Sequence, residues 1–342
     1  MSHSPAALNP QLRGILTGRS AEAFVRCNHD LPLEPGQIQP ASIDLRLGRT
    51  AFRTRASFLP GVGRMVEQGL ADLTLHQFSL DDGAVLEKGA VYVVPLEESL
   101  AIPAGLSGVA NPKSSTGRLD VFARVIVDGS ERFDQIPEGY RGRVFVEISP
   151  HSFPITVRRG SKLVQLRLRS GGAAEPIGEA ILGLDARGKG RGQIIGYRAK
   201  GNTGLVDVDC RARYAVADYW EVLTADTSGA IILDPGEFYI LATESPVVIP
   251  NDQVAELRPL DTEIGEFRVH YAGFFDPGFG VTNPSRGVLE VRAHEVPFRI
   301  EHGQTIGKLI YEKLLGTPES LYGSGIQSNY QGQGLKLSKH FI

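Results

Sequence analysis

Short apolar runs, each stopped by glycine or proline, recur along almost the whole chain. SIDLRLG, AVYVVPL, RVFVEIS and ITVRRG are rich in Val and Ile and bounded by turn residues, and FYILAT, GVLEVRA and FRIEHG follow the same rule further on. Runs of this length, built of β-branched residues and closed by such boundaries, are strand signals. A helical pattern is confined to the start, around Leu8 to Leu16 and again from Ala21 to Arg26. The pattern predicts an all-β chain with a short helical N-terminus.

The pattern is also written twice. LEKGAVYVVPLEESLAIP ends at Pro103 and LDPGEFYILATESPVVIP at Pro250, so that Gly89 matches Gly236 and Pro103 matches Pro250 at one offset of 147. RVFVEISPHSFPITVRRGSKLVQLRL matches GVLEVRAHEVPFRIEHGQTIGKLIYEKL, pairing Glu147 with Glu290 and Gly160 with Gly303 at 143. A repeat whose offset changes only by a short gap implies two tandem copies of one β domain, here residues 1–175 and 176–342. The joint is the Gly/Ala-rich, charge-mixed stretch near Ser170 to Gly204.

Composition narrows the partners. The 342 residues are 42% hydrophobic, enough for a real core, and the net charge of −3 comes without long basic or acidic runs. Broad electrostatic attraction to nucleic acid is therefore not expected, and an anionic ligand has to be held locally. No stretch approaches a membrane span, and the first residues lack the basic and apolar regions of a signal peptide. Cys27 and Cys210 stand far apart in no metal-like spacing, which fits the reducing cytoplasm with both as small buried hydrophobes.

Candidate chemistry sits in four places. KSSTGR, residues 113–118, gathers Lys113, Ser114, Ser115 and Arg118 around a glycine; such a stretch is either an oxyanion cradle or an ordinary solvated turn. At the repeat offset its counterpart is LDTEIG, residues 260–265, where acids replace the donors, so one copy keeps the potential anion site and the other does not. Glu147 and Glu290 lie in apolar strands at equivalent places; each carboxylate either alternates outward to water or faces a pocket that tunes it for proton transfer. FFDPGFG puts Asp276 in a Pro-Gly hairpin, and the first copy carries the expanded RFDQIPEGYRGR with Asp134. The tail YGSGIQSNYQGQGLK is polar and glycine-rich, a disordered end or a flap that orders over a ligand. Histidines are dispersed, the zinc-deaminase signature is missing, and GKGRGQ at 188–193 has no strand-loop-helix context.

Together these pieces resemble the dCTP deaminase branch of the dUTPase-like superfamily. IQPASIDLRLG resembles its early strand, KSSTGR its R-S-S-x-x-R motif with Lys113 in the leading position, FFDPGFG its I-D-P-G nucleoside hairpin, VFVEI and VLEV its glutamate strand, and NYQGQG its closing segment. The resemblance implies two tandem dUTPase-like β-barrel or β-clip domains and hydrolytic deamination of dCTP to dUTP and ammonia, with no catalytic metal and with Mg2+ accompanying the triphosphate. Carried over, a glutamate (Glu290 or Glu147) activates water, and Ser114 and Arg118 support the reaction centre. Lys113 and Ser115 meet phosphate, the Ala272 backbone meets the base, Asp276 takes the sugar 3′-hydroxyl, and Tyr322, Tyr330 and Gln333 close over the nucleotide. Asn329 stands where the family often has a phosphate-binding lysine.

The resemblance also implies a homo-oligomer built from trimeric domain arrangements, with sites shared between domains. KSSTGR of the first copy would then face the hairpin of the second, which favours Glu290 as the base. GYRGRV, residues 139–144, resembles a diphosphatase hairpin, so a dUTP diphosphatase or a bifunctional enzyme is the alternative expectation. A non-catalytic nucleotide sensor is the third.

Overall fold

A computed structural model describes residues 12–27, 33–34, 36–172, 175–258, 267–270, 273–293, 295–322 and 334–342. Strands dominate throughout, and among the described residues the longest helix is the eight-residue Val66–Leu73. The all-β class expected from the apolar pattern is the class observed.

The repeat is visible as two versions of one strand group. In the first copy Val91–Ala101, Arg141–Pro150 and Val121–Val127 lie side by side, all antiparallel; in the second Phe238–Val247, Ser285–Ala293 and Phe267–His270 do the same. Glu147 pairs across to Val93 on one side and Arg124 on the other, while Glu290 pairs to Ile240 and His270. The glutamates matched in sequence are thus matched in register.

What covers those two strands differs. Successive side chains of a strand point to opposite faces, so Glu147 shares its face with Phe145. Phe145, Val93 and Ile126 pack beneath Val66 and Leu70, with Phe52, Phe58, Leu59 and Phe133 around them. The first copy therefore caps its own glutamate face with a helix that the sequence reading missed, although Val66 and Leu70 at i, i+4 were a signal for it. In the second copy Val288, Phe238 and Ile240 instead join the core cluster of the first copy, alongside Leu119, Val121 and Ile148. There the covering element is the other copy.

Two further features tie the copies together. Gly14–Leu16, expected to be helical, is a strand: Ile15 pairs antiparallel with Arg169 of the first copy and parallel with Leu314 of the second. Two open sheet edges outweigh the weak local helical pattern, and a side chain at Gly14 would sit 2.5 Å from the Lys313 carbonyl oxygen. The short N-terminal helix is Gly18–Glu22, with the Thr17 hydroxyl accepting from the Ser20 amide, and Val25–Cys27 is again a strand.

At the other end, residues 334–342 fold back across the chain. The buried Trp220 ring stands 5.2 Å from Phe153 and 5.7 Å from Phe341, an aromatic knot made by the first copy, the second copy and the C-terminus. Cys210 is partly exposed rather than buried as expected, with Arg213 Nη1 3.4 Å from its sulfur. No described helix is long and apolar enough to cross a membrane.

Candidate active site

The KSSTGR stretch forms one helical turn, Ser114–Gly117, capped by Lys113 and followed by Arg118. Pro112 and the strand Leu106–Pro112 deliver the chain to this point, and the hydroxyl of Thr116 donates to the Leu163 carbonyl at 2.9 Å, pinning the turn to its neighbour. Ser115 and Arg118 are buried; Lys113 and Ser114 are partly exposed.

Arg118 reaches into the second copy. Its Nε lies 3.8 Å from the Oε1 of Glu290, and its Nη1 donates to the Lys336 carbonyl of the C-terminal segment at 3.0 Å. Glu290 is buried, and loss of hydration pushes its carboxyl up to about 8, with the Arg118 charge working in the opposite direction. This is a carboxyl facing a cation at a distance longer than a hydrogen bond, so its proton-binding oxygen is not locked into a tight ion pair.

Glu147 has a different setting. Arg124, directly opposite it in register, donates to its Oε1 at 2.5 Å and stacks over the Phe133 ring at 3.8 Å. Asp134, the first copy's hairpin acid, is half-buried; its Oδ1 accepts from the Val125 amide at 2.8 Å, and loss of hydration raises it to about 7. The first copy's equivalent place is therefore filled by its own arginine and phenylalanine beneath the Val66–Leu73 helix.

The hairpin of the second copy is held by a residue that sequence reasoning missed. Arg167, on the first-copy strand Val164–Ser170, donates to the Ala255 carbonyl at 3.1 Å, the Phe275 carbonyl at 2.9 Å and Asp276 Oδ1 at 3.0 Å, and stacks on Phe274 at 4.1 Å. Arg169, two positions on, forms a forked bridge to Glu312, both bonds 2.8 Å. The alternation in VQLRLRS resembles a half-exposed strand, yet every residue of it is buried; the face that looked solvated is covered by the second copy. Asp44, in the SIDLRLG strand, was also missed. It pairs with Lys113, and both lie close enough to influence the charge of Asp276.

Tyr322 is placed on the same hairpin: its amide donates to the Pro277 carbonyl at 2.9 Å, and its ring stands 5.2 Å from Phe279. The Ser338 hydroxyl donates to the Ser115 carbonyl at 2.8 Å, so the C-terminal segment lies against the helical turn. Ala272, Tyr330, Gln333 and the LDTEIG segment lie outside the described residues. The structure thus brings Arg118 to Glu290, Lys113 to Asp44 and Asp276 to Arg167, all but the Lys113 pair spanning the two copies. Among the described residues no group of three His, Cys, Asp or Glu is arranged to hold a metal ion.

Residues 13–172 match the family model of the 2′-deoxycytidine 5′-triphosphate deaminase N-terminal domain, and residues 171–341 that of the C-terminal domain. The chain is similar to the crystal structure of 2′-deoxycytidine 5′-triphosphate deaminase from Agrobacterium tumefaciens, with 49% identity and a TM-score of 0.85 over 90% of this chain and 99% of that one. It is also similar to two proteins named "dCTP deaminase, dUMP-forming". The one from Beutenbergia cavernae is 33% identical over 35% of this chain and 67% of its own length; the one from Acidothermus cellulolyticus is 32% identical over 46% and 81%.

Proposed function

We propose, starting from the fact that this chain belongs to the 2′-deoxycytidine 5′-triphosphate deaminase family with its dUTPase-like fold, that it hydrolyses the exocyclic amine of dCTP. The observation that carries this reading is the buried meeting of Arg118 from one copy with Glu290 from the other. In this reading Glu290 is the general base. A carboxylate at C4 takes a proton from water as the oxygen attacks, and the same carboxyl then returns a proton to the departing amine, so water and dCTP leave as ammonia and the uracil nucleotide. A group raised to about 8 is suited to both halves of that exchange near neutral pH. Arg118 steadies the negative charge that develops on the ring, and Ser114 holds the water.

The remaining roles are positional. Lys113 and Ser115 receive the triphosphate, which enters with magnesium as its counter-ion. The Ala272 backbone meets the base edge. Asp276, its direction set by Arg167, accepts from the sugar 3′-hydroxyl. Tyr322, Tyr330 and Gln333 close over the nucleotide. The enzyme works in the cytoplasm as a homo-oligomer of trimerically arranged domains.

The product is the finer point. The motif resemblance points to dUTP, and the dUMP-forming names of the curated relatives favour an enzyme that also releases pyrophosphate. One assay separates these readings: purified protein with dCTP and magnesium, against a chelator control, followed for ammonia, pyrophosphate, dUTP and dUMP. Ammonia is expected, and its absence with dCTP, dCMP and deoxycytidine alike, despite nucleotide binding, makes the protein a sensor and removes the deaminase reading. Glu290→Gln is expected to lower kcat at least about 100-fold, and Glu147→Gln to leave it nearly unchanged; the reverse result moves the base to the first copy.

A further inference from the structure

Two residues beyond Arg118 on one side of the copy interface, and two beyond Glu290 on the other, a second charge pair repeats the first with its signs exchanged. Asp120 is fully buried at the end of the KSSTGRLD stretch, and Arg292 lies on the Glu290 strand, on the same face as Glu290. Arg292 Nε donates to Asp120 Oδ1 at 3.2 Å and Nη2 donates to Oδ2, a forked bridge; Nη1 donates to the Gly236 carbonyl. Asp120 is held from its own side as well, by the Ser152 hydroxyl at 2.5 Å on Oδ2, and its backbone adopts a left-handed φ of 58°. Asp tolerates that conformation better than most non-glycine residues, and the Ser152 and Arg292 bonds fix the end of the loop there. The first copy has no equivalent: at the repeat offset of 143 Arg292 corresponds to Ser149, beside the glutamate that is already closed off by Arg124.

We propose that Asp120 and Arg292 are positioning residues for the deamination, a cross-copy clamp that fixes the separation between Arg118 and Glu290. The clamp rests on Glu290 being the base, as argued above. Without it, Arg118 can collapse onto Glu290 as a tight ion pair or drift from it, and either change removes the spacing in which the carboxyl is partly desolvated yet free to exchange a proton with water. Among the described residues, Arg118 of the first copy is the charged group that acts on the Glu290 carboxyl, with Asp120 two positions beyond it and Arg292 two positions along the Glu290 strand. The flanking strand Phe238–Val247 presents the apolar Phe238 and Ile240, and on the strand Phe267–His270 the position opposite is His270.

The experiment uses Asp120→Asn and Arg292→Gln in the full-length protein, with Glu290→Gln to assign its signal. The carboxyl carbon of Glu290 is titrated by NMR in protein labelled at glutamate, and kcat and KM for dCTP are measured across pH. Asp120→Asn removes the carboxylate that Arg292 grips across the copies and leaves more positive charge on that side of the interface, so the midpoint is expected to fall. Arg292→Gln leaves the Asp120 carboxylate to draw Arg118 away and to repel Glu290, so the midpoint is expected to rise. Both variants are expected to lose about 10- to 100-fold in kcat with little change in KM, because neither side chain meets the triphosphate.

Shifts in the same direction, or lower melting temperatures with unchanged titration and kcat, overturn the clamp and leave the pair a structural tie. If either variant does not fold, Asp120→Glu and Arg292→Lys decide in its place: reduced kcat with a displaced midpoint supports the clamp, and wild-type values for both overturn it. If the wild type releases no ammonia from dCTP, the proposed activity fails, and the opposite titration shifts still decide the clamp.

Discussion

At the scale of single residues, Glu290, the proposed base, illustrates how a buried carboxyl works against its own fold. Its carboxyl is raised by burial to about 8, whereas in the unfolded chain it titrates near the ordinary value of about 4.3. A group raised in the folded state contributes stability that is complete below the unfolded value and is lost as pH climbs toward the folded value. Glu290→Gln removes that term, so its melting temperature should equal that of the wild type near pH 4.5 and exceed it increasingly up to about pH 8, while activity is lost. Calorimetry across this range checks the sign. The same carboxyl should place the acid limb of kcat/KM near pH 8 in the free enzyme. Arg118→Met, which removes the charge that favours the ionised form, should move that limb upward. The repeat made both glutamates legible in the sequence, but not their difference. Arg124 opposite Glu147 and His270 opposite Glu290 are a register fact, and register between strands far apart in the chain is set by tertiary pairing.

At the scale of elements, the decisive contrast is in what lies on the two equivalent strand faces. Val66–Leu73 and the aromatic residues around it close the first copy's face, while the first copy itself closes the second's. With Glu290 as the proposed base, one nucleotide site per chain is expected. Calorimetric titration of the Glu290→Gln protein with dCTP should saturate at one equivalent per chain, and two equivalents would reopen the Glu147 face as a site. The strands and the tandem repeat were legible because β-branched runs between Gly and Pro announce themselves. The closing helix was not singled out, being a short amphipathic element of about two turns between strands. Arg167 and Arg169 were not singled out for a related reason: an alternating strand has one pattern whether its polar face meets water or a neighbouring domain's carboxylates.

At the scale of the whole molecule, the C-terminal segment joins the two copies to the site. The Ser338 hydroxyl oxygen lies 2.8 Å from both the Ser115 carbonyl oxygen and His340 Nδ1 and shares its one hydrogen between them, His340 Nε2 donates to the Val208 carbonyl at 2.9 Å, and Phe341 enters the aromatic knot around Trp220. Burial lowers His340 to about 4 from an ordinary 6.5. A depressed histidine contributes stability that is present above the unfolded value and lost as pH falls through the folded one. The stability gap between wild type and His340→Asn should therefore narrow as pH drops from about 6.5 to about 4, with proteolysis of the C-terminal residues rising over the same interval. A gap independent of pH would mean that the ring serves only to fill space.

The strand Gly14–Leu16 carries a consequence for how the chain comes into being. Its second neighbour, at Leu314 and Leu315, leaves the ribosome about 300 residues later. At ordinary synthesis rates of 5–20 residues per second, the interval is roughly 15 to 60 seconds. For about the first half of that time neither neighbour has been made; once Arg169 has emerged the N-terminal strand pairs on that side only, and its other edge is an open template for any strand that arrives first. The late-made strand Thr305–Leu315 of the second copy thus acts as the latch on the early-made Gly14–Leu16. A nascent chain halted between the copies holds half a site and, beside it, a sticky edge that finished molecules do not show.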